Sequence, residues 1–160
     1  MTGHLVLSTL PATDAPSAVV RLARLGQMGR APHQLGALNV VEAQRLVRRI
    51  CSRCKFDDTA SVPSQMLVAM GFTRDQVGTF KVMKGKGCTA CYGTGYKGRV
   101  GLYEVLELTD EIRQLVLEGA SAIELKQRAV DEGMVSLRRS GLTKVRDGLT
   151  TLEEVVRDLA

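Results

Sequence analysis

CSRC at residues 51–54 and CTAC at residues 88–91 are the two stretches around which the rest of the chain is organised. They contain Cys51, Cys54, Cys88 and Cys91, the only four cysteines among the 160 residues. Two residues between paired cysteines let both sulfur atoms point at one centre, and two such knuckles form a tetrahedral cage that suits Zn²⁺. We therefore predict one zinc ion bound by these four side chains.

Three other uses of the cysteines stay open: a pair of disulfides, an iron–sulfur site and a redox-active C-x-x-C. Disulfides are disfavoured because the first ten residues lack the basic and apolar pattern of a secretory signal, and a reducing cytosol favours four thiolates on a metal. A thioredoxin-like motif usually comes as one C-x-x-C rather than two. A cage of four sulfurs leaves no open coordination position, so the predicted zinc ion is structural rather than catalytic.

The composition predicts a soluble chain with an aliphatic core. Hydrophobic residues make up 44% of the chain, but aromatic residues only 4%, and tryptophan is absent. No run approaches the ~18 apolar residues of a membrane span. The net charge of +5 permits an anionic partner without requiring one.

Local patterns predict the elements before residue 109. They are a buried strand over residues 5–7, a helix capped by Asp14 and stopped by Gly26, a helix from about residue 33 to Ile50, a short helix ended by Gly71, a capping-box turn over residues 73–76, and strands over residues 79–83 and 99–106. The glycine-rich GKGCTACYGTGYKGRVG (residues 85–101) permits positive φ around the metal. It is not a P-loop, because G-x-x-x-x-G-K-[ST] occurs nowhere in the chain.

From Thr109 to the end the spacing predicts a small bundle of about four helices. Thr109 is the expected cap of the first, and the predicted capping boxes pair Ser121 with Glu124 and Thr150 with Glu153. The expected helix stops are Gly119, Gly133 and Gly148.

Several stretches in this order resemble the C-terminal part of the type II secretion and type IV pilus assembly ATPases (GspE/PilB). The resemblance runs from about residue 2 to about residue 159. It is carried by the paired C-x-x-C and by TGHLVLSTL (2–10), TDAPSAVVRL (13–22), AQRLVRRIC (43–51), GYKGRVGLYEV (95–105) and SGLTKVRDGLTTLEEV (140–155). The last of these is typical of the pilus-assembly branch.

The resemblance implies an α/β remnant of a RecA-like P-loop ATPase core over residues 1–50. A tetracysteine zinc subdomain would follow over residues 51–103, and a helical C-terminal region over residues 104–160. It also implies a cytoplasmic homo-hexamer, peripheral to the inner membrane through a platform protein, that adds pilin or pseudopilin to a fibre by hydrolysing ATP with Mg²⁺. A full member carries Walker A, an Asp box and Walker B, and these are absent here. We therefore expect a C-terminal fragment that is not catalytic alone.

The resemblance implies a nucleotide-site role for one histidine. The family's His box reads TGHLVxSTLHTNDA, and His4 matches its first histidine, near the terminal phosphate of the nucleotide. Pro11 takes the place of the second histidine, and Ala12 and Thr13 replace the usual Thr and Asn. His4 is therefore the candidate catalytic residue, the alternative being a histidine that meets water or a backbone carbonyl. His33 has no motif around it and is predicted to be a surface residue.

Arg21, Arg45 and Arg99 match arginines in the family's segments. Motor ATPases use arginines between subunits to stabilise phosphate charge. The sequence does not distinguish which of the three would do so, and a surface role is the alternative for each.

Two other functions compete with the motor. A zinc-ribbon nucleic-acid module would suit the positive charge, but few aromatic residues are present for base stacking, so nucleic acid is the less favoured partner. A chaperone-type zinc domain would suit CTACYGTG, which matches one C-x-x-C-x-G-x-G repeat of the DnaJ cysteine-rich region. That region has four such repeats, whereas this chain has one.

Overall fold

The structure is a computed structural model, and it describes residues 3–25 and 35–159. The chain is α/β. In order, its elements are α1 (Ala15–Leu25), β1 (Val40–Ile50), β2 (Lys55–Asp57), α2 (Ser64–Met70), β3 (Met83–Gly85), β4 (Tyr96–Glu107), α3 (Asp110–Leu117), α4 (Ala122–Asp131), α5 (Leu137–Arg146) and α6 (Leu152–Leu159). Short 3₁₀ turns lie at Thr59–Ser61 and Thr89–Cys91. β1 pairs with β4 in one two-stranded sheet, and β2 pairs with β3 in another.

The chain divides into two compact units, Met1–Ala43 with Val105–Met134, and Gln44–Glu104 with Val135–Ala160. The predicted boundaries at residues 50 and 103 stay a prediction. In the part of the chain that the structure describes, no helix has the length and apolar character needed to cross a membrane.

The first unit is built around α1, α3 and α4. Asp14 begins α1 as predicted, because its Oδ1 accepts the backbone N–H of Ser17 at 3.0 Å. Its other oxygen accepts from Lys126 Nζ at 2.7 Å, which fastens α1 to α4. The apolar core of this unit consists of Ala15, Val19, Leu35, Leu106, Leu108, Ile112, Val116, Leu125 and Ala129.

The second unit packs α5 and α6 against α2 and the loops around β3. Its core consists of Leu67, Phe72, Val82, Leu142, Val145, Leu152 and Val155. The absence of a side chain on Gly141 lets α5 and α6 approach closely, since a Cβ there would lie 2.8 Å from Val155 Cγ1. Glu104, fully buried on β4, begins α5 by accepting the N–H of Leu137 at 3.1 Å.

The predicted helix before the first cysteine pair is wrong over its described part, because residues 40–50 form strand β1. The apolar residues of this stretch have helical spacing, as in Val40, Ala43, Val47 and Ile50. More exposed and more buried residues nevertheless alternate along most of the same stretch, which is the pattern of a strand. Along β1 every second residue from Val41 is the more buried one, ending at Val47. Pairing with β4 selects the strand, since short segments that fit both periods are decided by tertiary partners.

The predicted strand over residues 5–7 is also wrong, because the chain there has no regular secondary structure. Leu5, Val6 and Leu7 are 84%, 78% and 87% exposed. A strand of continuous apolar residues needs neighbours on both sides, and the described residues supply none. Gly26 and His33 lie outside the described residues.

Most predicted helix signals after residue 60 are confirmed. α2 ends at Gly71, which has φ 109°, and Thr109 accepts the N–H of Ile112. The capping box of Ser121 and Glu124 is present, and Gly119, Gly133 and Gly148 have positive φ. Residues 73–76 form turns without a helix, the strand predicted over residues 79–83 begins only at Met83, and β4 starts earlier than predicted.

The four predicted C-terminal helices are present, α3 and α4 in the first unit and α5 and α6 in the second. The cap of α6 is displaced by one residue from the predicted Thr150, because the Thr151 hydroxyl accepts the N–H of Glu154 at 3.3 Å.

A buried carboxylate joins α6 to β1. Glu154 is 1% exposed. Its Oε1 accepts from Nη2 and Nε of Arg48 at 2.6 and 3.0 Å, and its Oε2 accepts the N–H of Arg48 at 2.9 Å. Arg157 donates to the same carboxylate at 2.9 Å. Burial raises the pKa of Glu154, but the Arg48 guanidinium and N–H outweigh burial and hold that pKa below its usual range.

We expect residues 4–10 to exchange their amide hydrogens at nearly the rate of an unstructured peptide, because their side chains are exposed and no strand pairs with them. The amides of the helices after Thr109 should exchange slowly. Hydrogen exchange followed by mass spectrometry measures both in one experiment. Uniformly slow exchange over residues 4–10 in a dilute monomer would contradict this description.

Glu154→Gln should destabilise the second unit by about 2 kcal/mol at neutral pH, because the charged hydrogen bonds to Arg48 are lost. A carboxylate with a lowered folded pKa stabilises above its unfolded pKa, and that stability is lost as the pH falls through the folded value. The difference in melting temperature between the two proteins should therefore shrink below about pH 4. Glu153→Gln, at a more exposed neighbour, is the matched control, and a pH-independent difference would contradict the assignment.

Candidate metal centre

Two knuckle turns bring the four predicted ligands together in the second unit. Cys51 directly follows β1 and Cys54 precedes β2, while Cys88 caps the 3₁₀ turn at Thr89–Cys91 that contains Cys91. Backbone hydrogen bonds tie the knuckles to each other: Cys51 N–H donates to Gly95 O at 2.9 Å, and Lys86 N–H donates to Cys54 O at 3.0 Å. The antiparallel pairing of Lys55 with Gly85 continues this contact into the β2–β3 sheet.

The four sulfur atoms have the spacing of a single-ion cage. All of them lie within 4.8 Å of one another. The Sγ–Sγ distance is 3.9 Å for Cys51 and Cys88, 3.8 Å for Cys54 and Cys91, and 3.7 Å for Cys88 and Cys91. A tetrahedral ion bound at about 2.3 Å to each sulfur would separate the sulfurs by about 3.8 Å. The cage therefore fits one tetrahedral thiolate-bound ion, for which zinc and iron are the usual choices.

The same distances argue against two of the other arrangements of these cysteines, whereas the redox-active C-x-x-C is not tested by them. A disulfide requires about 2.05 Å between sulfurs, and all four thiols are free. In an iron–sulfur cluster the cysteines bind several iron atoms, which would hold the sulfurs further apart than one ion does. The structure thus favours a single ion over the disulfide and cluster alternatives.

Glycines allow the backbones of the two segments to approach the cage closely. A Cβ on Gly85 would lie 2.1 Å from Gly95 O, and a Cβ on Gly87 would lie 2.5 Å from Gly93 O. Gly95 has φ 78° as well, a conformation that residues with side chains seldom adopt. The glycine density of residues 85–101 therefore has two causes, positive φ as predicted and backbone contact.

Backbone N–H groups point at the sulfurs and favour their anionic form. Burial raises the pKa of the Cys91 thiol, but the N–H groups of Cys88 and Gly95 donate to its Sγ at 3.1 and 3.3 Å, and the pKa falls to about 6. Burial and the other three sulfurs together raise the pKa of the Cys54 thiol to about 11. The N–H of Gly87 lowers the same pKa, but by less than burial raises it. Four clustered thiolates need a cation among them, which is the charge that a bound metal supplies.

The structure leaves the predicted nucleotide-site residues outside this centre. His4 is exposed in the segment without regular structure, in the other unit, and its nucleotide role stays a prediction. Arg21 donates to Pro11 O at 2.7 Å, and Arg45 donates to Gln44 O at 3.2 Å. Arg99 is exposed on β4.

Two features of the second unit were missed from sequence. The Arg48–Glu154 pair joins residues 106 positions apart, and no local spacing signals such a contact. Tyr92 follows the ligand Cys91 directly, with φ 51°, and its side chain is 94% exposed. A left-handed backbone at a bulky residue costs about 1–2 kcal/mol, and glycine after the second cysteine of a knuckle would avoid that cost.

Comparison with known proteins shows that the chain is similar to secretion-system and pilus-assembly proteins. A family model described as Type II/IV secretion system protein matches residues 1–157. The type IV pilus assembly ATPase PilB of Myxococcus xanthus is 50% identical over 100% of this chain, and PilB of Acinetobacter baylyi is 43% identical over 98%. The type II secretion system protein HxcR of Pseudomonas aeruginosa is 39% identical over 98%. The chain spans 28%, 26% and 29% of these relatives' lengths.

The purified chain should contain one metal ion, and Cys88→Ser should remove it. Metal binding to such a site contributes on the order of 10–16 kcal/mol coupled to folding, so the variant should lose exchange protection in residues 51–103 while α3 and α4 stay folded. Elemental analysis and hydrogen exchange measure the two effects. Thr89→Ala, an exposed change inside the same knuckle, should leave the metal content unchanged, and metal-free protein with four free thiols would contradict the assignment.

Proposed function

This chain belongs to the family of type II/IV secretion system proteins, and on that premise we propose that it is the C-terminal part of a hexameric motor ATPase. In this proposal ATP hydrolysis by the full-length protein powers assembly of a type IV pilus or type II secretion. The observation that carries the proposal is the 50% identity to the Myxococcus xanthus pilus assembly ATPase along the whole chain. The two pilus assembly relatives are 50% and 43% identical and the type II secretion relative 39%, which supports the pilus branch.

The metal in this proposal is zinc, with a structural role. Four cysteine sulfurs at tetrahedral spacing support this role, because such a cage has no open position for a substrate. Bound zinc would hold β1, the β2–β3 sheet and the start of β4 together. In this proposal the metal centre therefore stabilises the fold of the motor and takes no part in its catalysis.

Nucleotide chemistry in this proposal belongs to the full-length protein. Phosphoryl transfer needs a loop of backbone N–H groups, a lysine and an acidic residue with Mg²⁺, and this sequence contains no G-x-x-x-x-G-K-[ST]. The segment of residues 1–50 would complete a RecA-like core made mainly by other residues, with His4 near the terminal phosphate. Residues 104–160 would form the helical C-terminal region of each subunit.

The proposed setting is the cytoplasmic side of the inner membrane. The motor would be a homo-hexamer held there by a platform protein. Arg21, Arg45 and Arg99 are the candidates for contacts to a nucleotide held by another subunit.

A chimera tests the proposal. This chain, substituted for the segment that it matches in the Myxococcus xanthus relative, should retain ATP hydrolysis and pilus assembly, because the catalytic loops come from the host protein. Steady-state phosphate release and surface pilus counts are the measurements. The isolated chain is the control, and it should release phosphate no faster than buffer.

Two results would argue against the motor. One is a chimera that folds as a hexamer, binds zinc and yet neither hydrolyses ATP nor assembles pili. The other is ATP turnover that follows the isolated chain through purification and disappears in His4→Ala, since this would place complete catalytic machinery within these residues.

A further inference from the structure

The positive charge of the chain is concentrated around the metal centre. We call residues 51–57 and 84–99 the knuckle segments. They contain six basic residues and one acidic residue, Asp57, and so carry the whole net charge of +5, whereas the rest of the chain has equal numbers of basic and acidic residues. Outside the knuckle segments, α5 carries four basic residues and no acidic one, and acidic residues elsewhere in the chain offset them.

Most of this charge is not neutralised within the described residues. Lys84 pairs with Glu153 and Asp58, and Asp57 pairs with Lys81. Arg53 and Lys97 are exposed and have no acidic partner among the described residues. Lys86 lies over the ring of Phe56 at 5.1 Å, which leaves its charge open to solvent.

Tyr92 adds an aromatic anchor to this basic surface. Its backbone is fixed in a left-handed conformation beside Cys91, and Gly93 N–H closes the turn by donating to Cys88 O at 2.9 Å. The ring makes no hydrogen bond or ring contact with the described residues and is 94% exposed. The conformation is unfavourable for tyrosine, and the ring returns no packing energy within the chain. A partner that covers the ring would supply packing energy that the described residues do not.

We propose that the knuckle segments form a docking surface for a protein segment rich in aspartate and glutamate. Tyr92 is the apolar anchor, and Arg53, Lys86 and Lys97 pair with carboxylates. Tyrosine and arginine are the residue types enriched at the centres of protein interfaces. The cage holds the surface rigid, which lowers the entropy lost on binding.

The composition of the surface favours protein over the other anionic partners. Single-stranded nucleic acid is bound by stacking its bases on several aromatic side chains. In the knuckle segments only Tyr92 is an exposed aromatic side chain, because Phe56 and Tyr96 are half-buried. Binding to a lipid surface requires apolar side chains that enter the acyl boundary. Apart from Tyr92, the exposed uncharged side chains of the knuckle segments are Ser52, Thr89 and Thr94, which are small and polar. The inference rests on the proposed zinc centre and not on the motor function.

The test uses the zinc-loaded chain and a fluorescein-labelled synthetic peptide that repeats Glu-Leu-Asp, with a Gln-Leu-Asn peptide as reference. Fluorescence anisotropy should show tighter binding of the acidic peptide. Tyr92→Gly should weaken that binding about tenfold without lowering the melting temperature, because glycine adopts the left-handed conformation freely. If Tyr92→Gly loses zinc, Tyr92→Asn is measured instead, since asparagine tolerates this conformation.

Arg53→Ala and Lys86→Ala should each weaken binding several-fold and reduce its salt dependence. Arg74→Ala is the matched control, an exposed basic residue of the same unit outside the knuckle segments, and it should change the affinity by less than about twofold. Equal affinity for the two peptides, an unchanged affinity in the Tyr92 variant, or an equal loss in Arg74→Ala would overturn the proposal. So would tighter binding of phosphatidylglycerol vesicles or single-stranded DNA through the same residues, which would assign the surface to a different partner.

Discussion

The convergence of four sulfur atoms on one centre is the constraint on which the second unit depends. The two pairs come from segments 33 residues apart, and the short β2 and β3 strands between them have three residues each. A two-stranded sheet of that size is not stable alone. A bound metal would therefore do for this region what a larger apolar core does elsewhere. The glycines at 85, 87 and 95 let the two backbones come together around the sulfurs.

A second group of stabilising interactions joins the end of the chain to β1. Glu154 joins α6 to β1, and the Thr150 hydroxyl donates to Arg48 O at 2.8 Å. Ile50 N–H donates to Leu149 O at 2.9 Å, one residue before the ligand Cys51. The end of the chain is thus hydrogen-bonded to the strand that delivers the first knuckle. The position of Cys51 consequently depends on residues 149–154 as well as on its own pair.

The contrast between predicted and observed elements follows from the range of the interactions. The Asp14 and Ser121 caps and the Gly71 stop were predictable because each is decided within a few residues. The cage was predictable because each C-x-x-C is a local signal and the chain contains two of them. β1 was not, since its apolar spacing satisfies both periods and β4, nearly fifty residues later, selects the strand. The buried carboxylates Glu104 and Glu154 were invisible for the same reason, because their partners lie 33 and 106 residues away.

The knuckle segments carry more positive charge than is needed to balance the negative charge of a metal-loaded cage. When a divalent ion occupies four thiolates, the cage carries a net charge of about −2. Basic residues close to such an anion stabilise it, and N–H groups from Gly87, Cys88 and Gly95 share that task. The knuckle segments hold a surplus of +5 before the cage is counted, so about three positive charges remain after it is balanced. Because the rest of the chain has equal numbers of basic and acidic residues, this remainder is the net charge that the metal-loaded chain would present to another molecule.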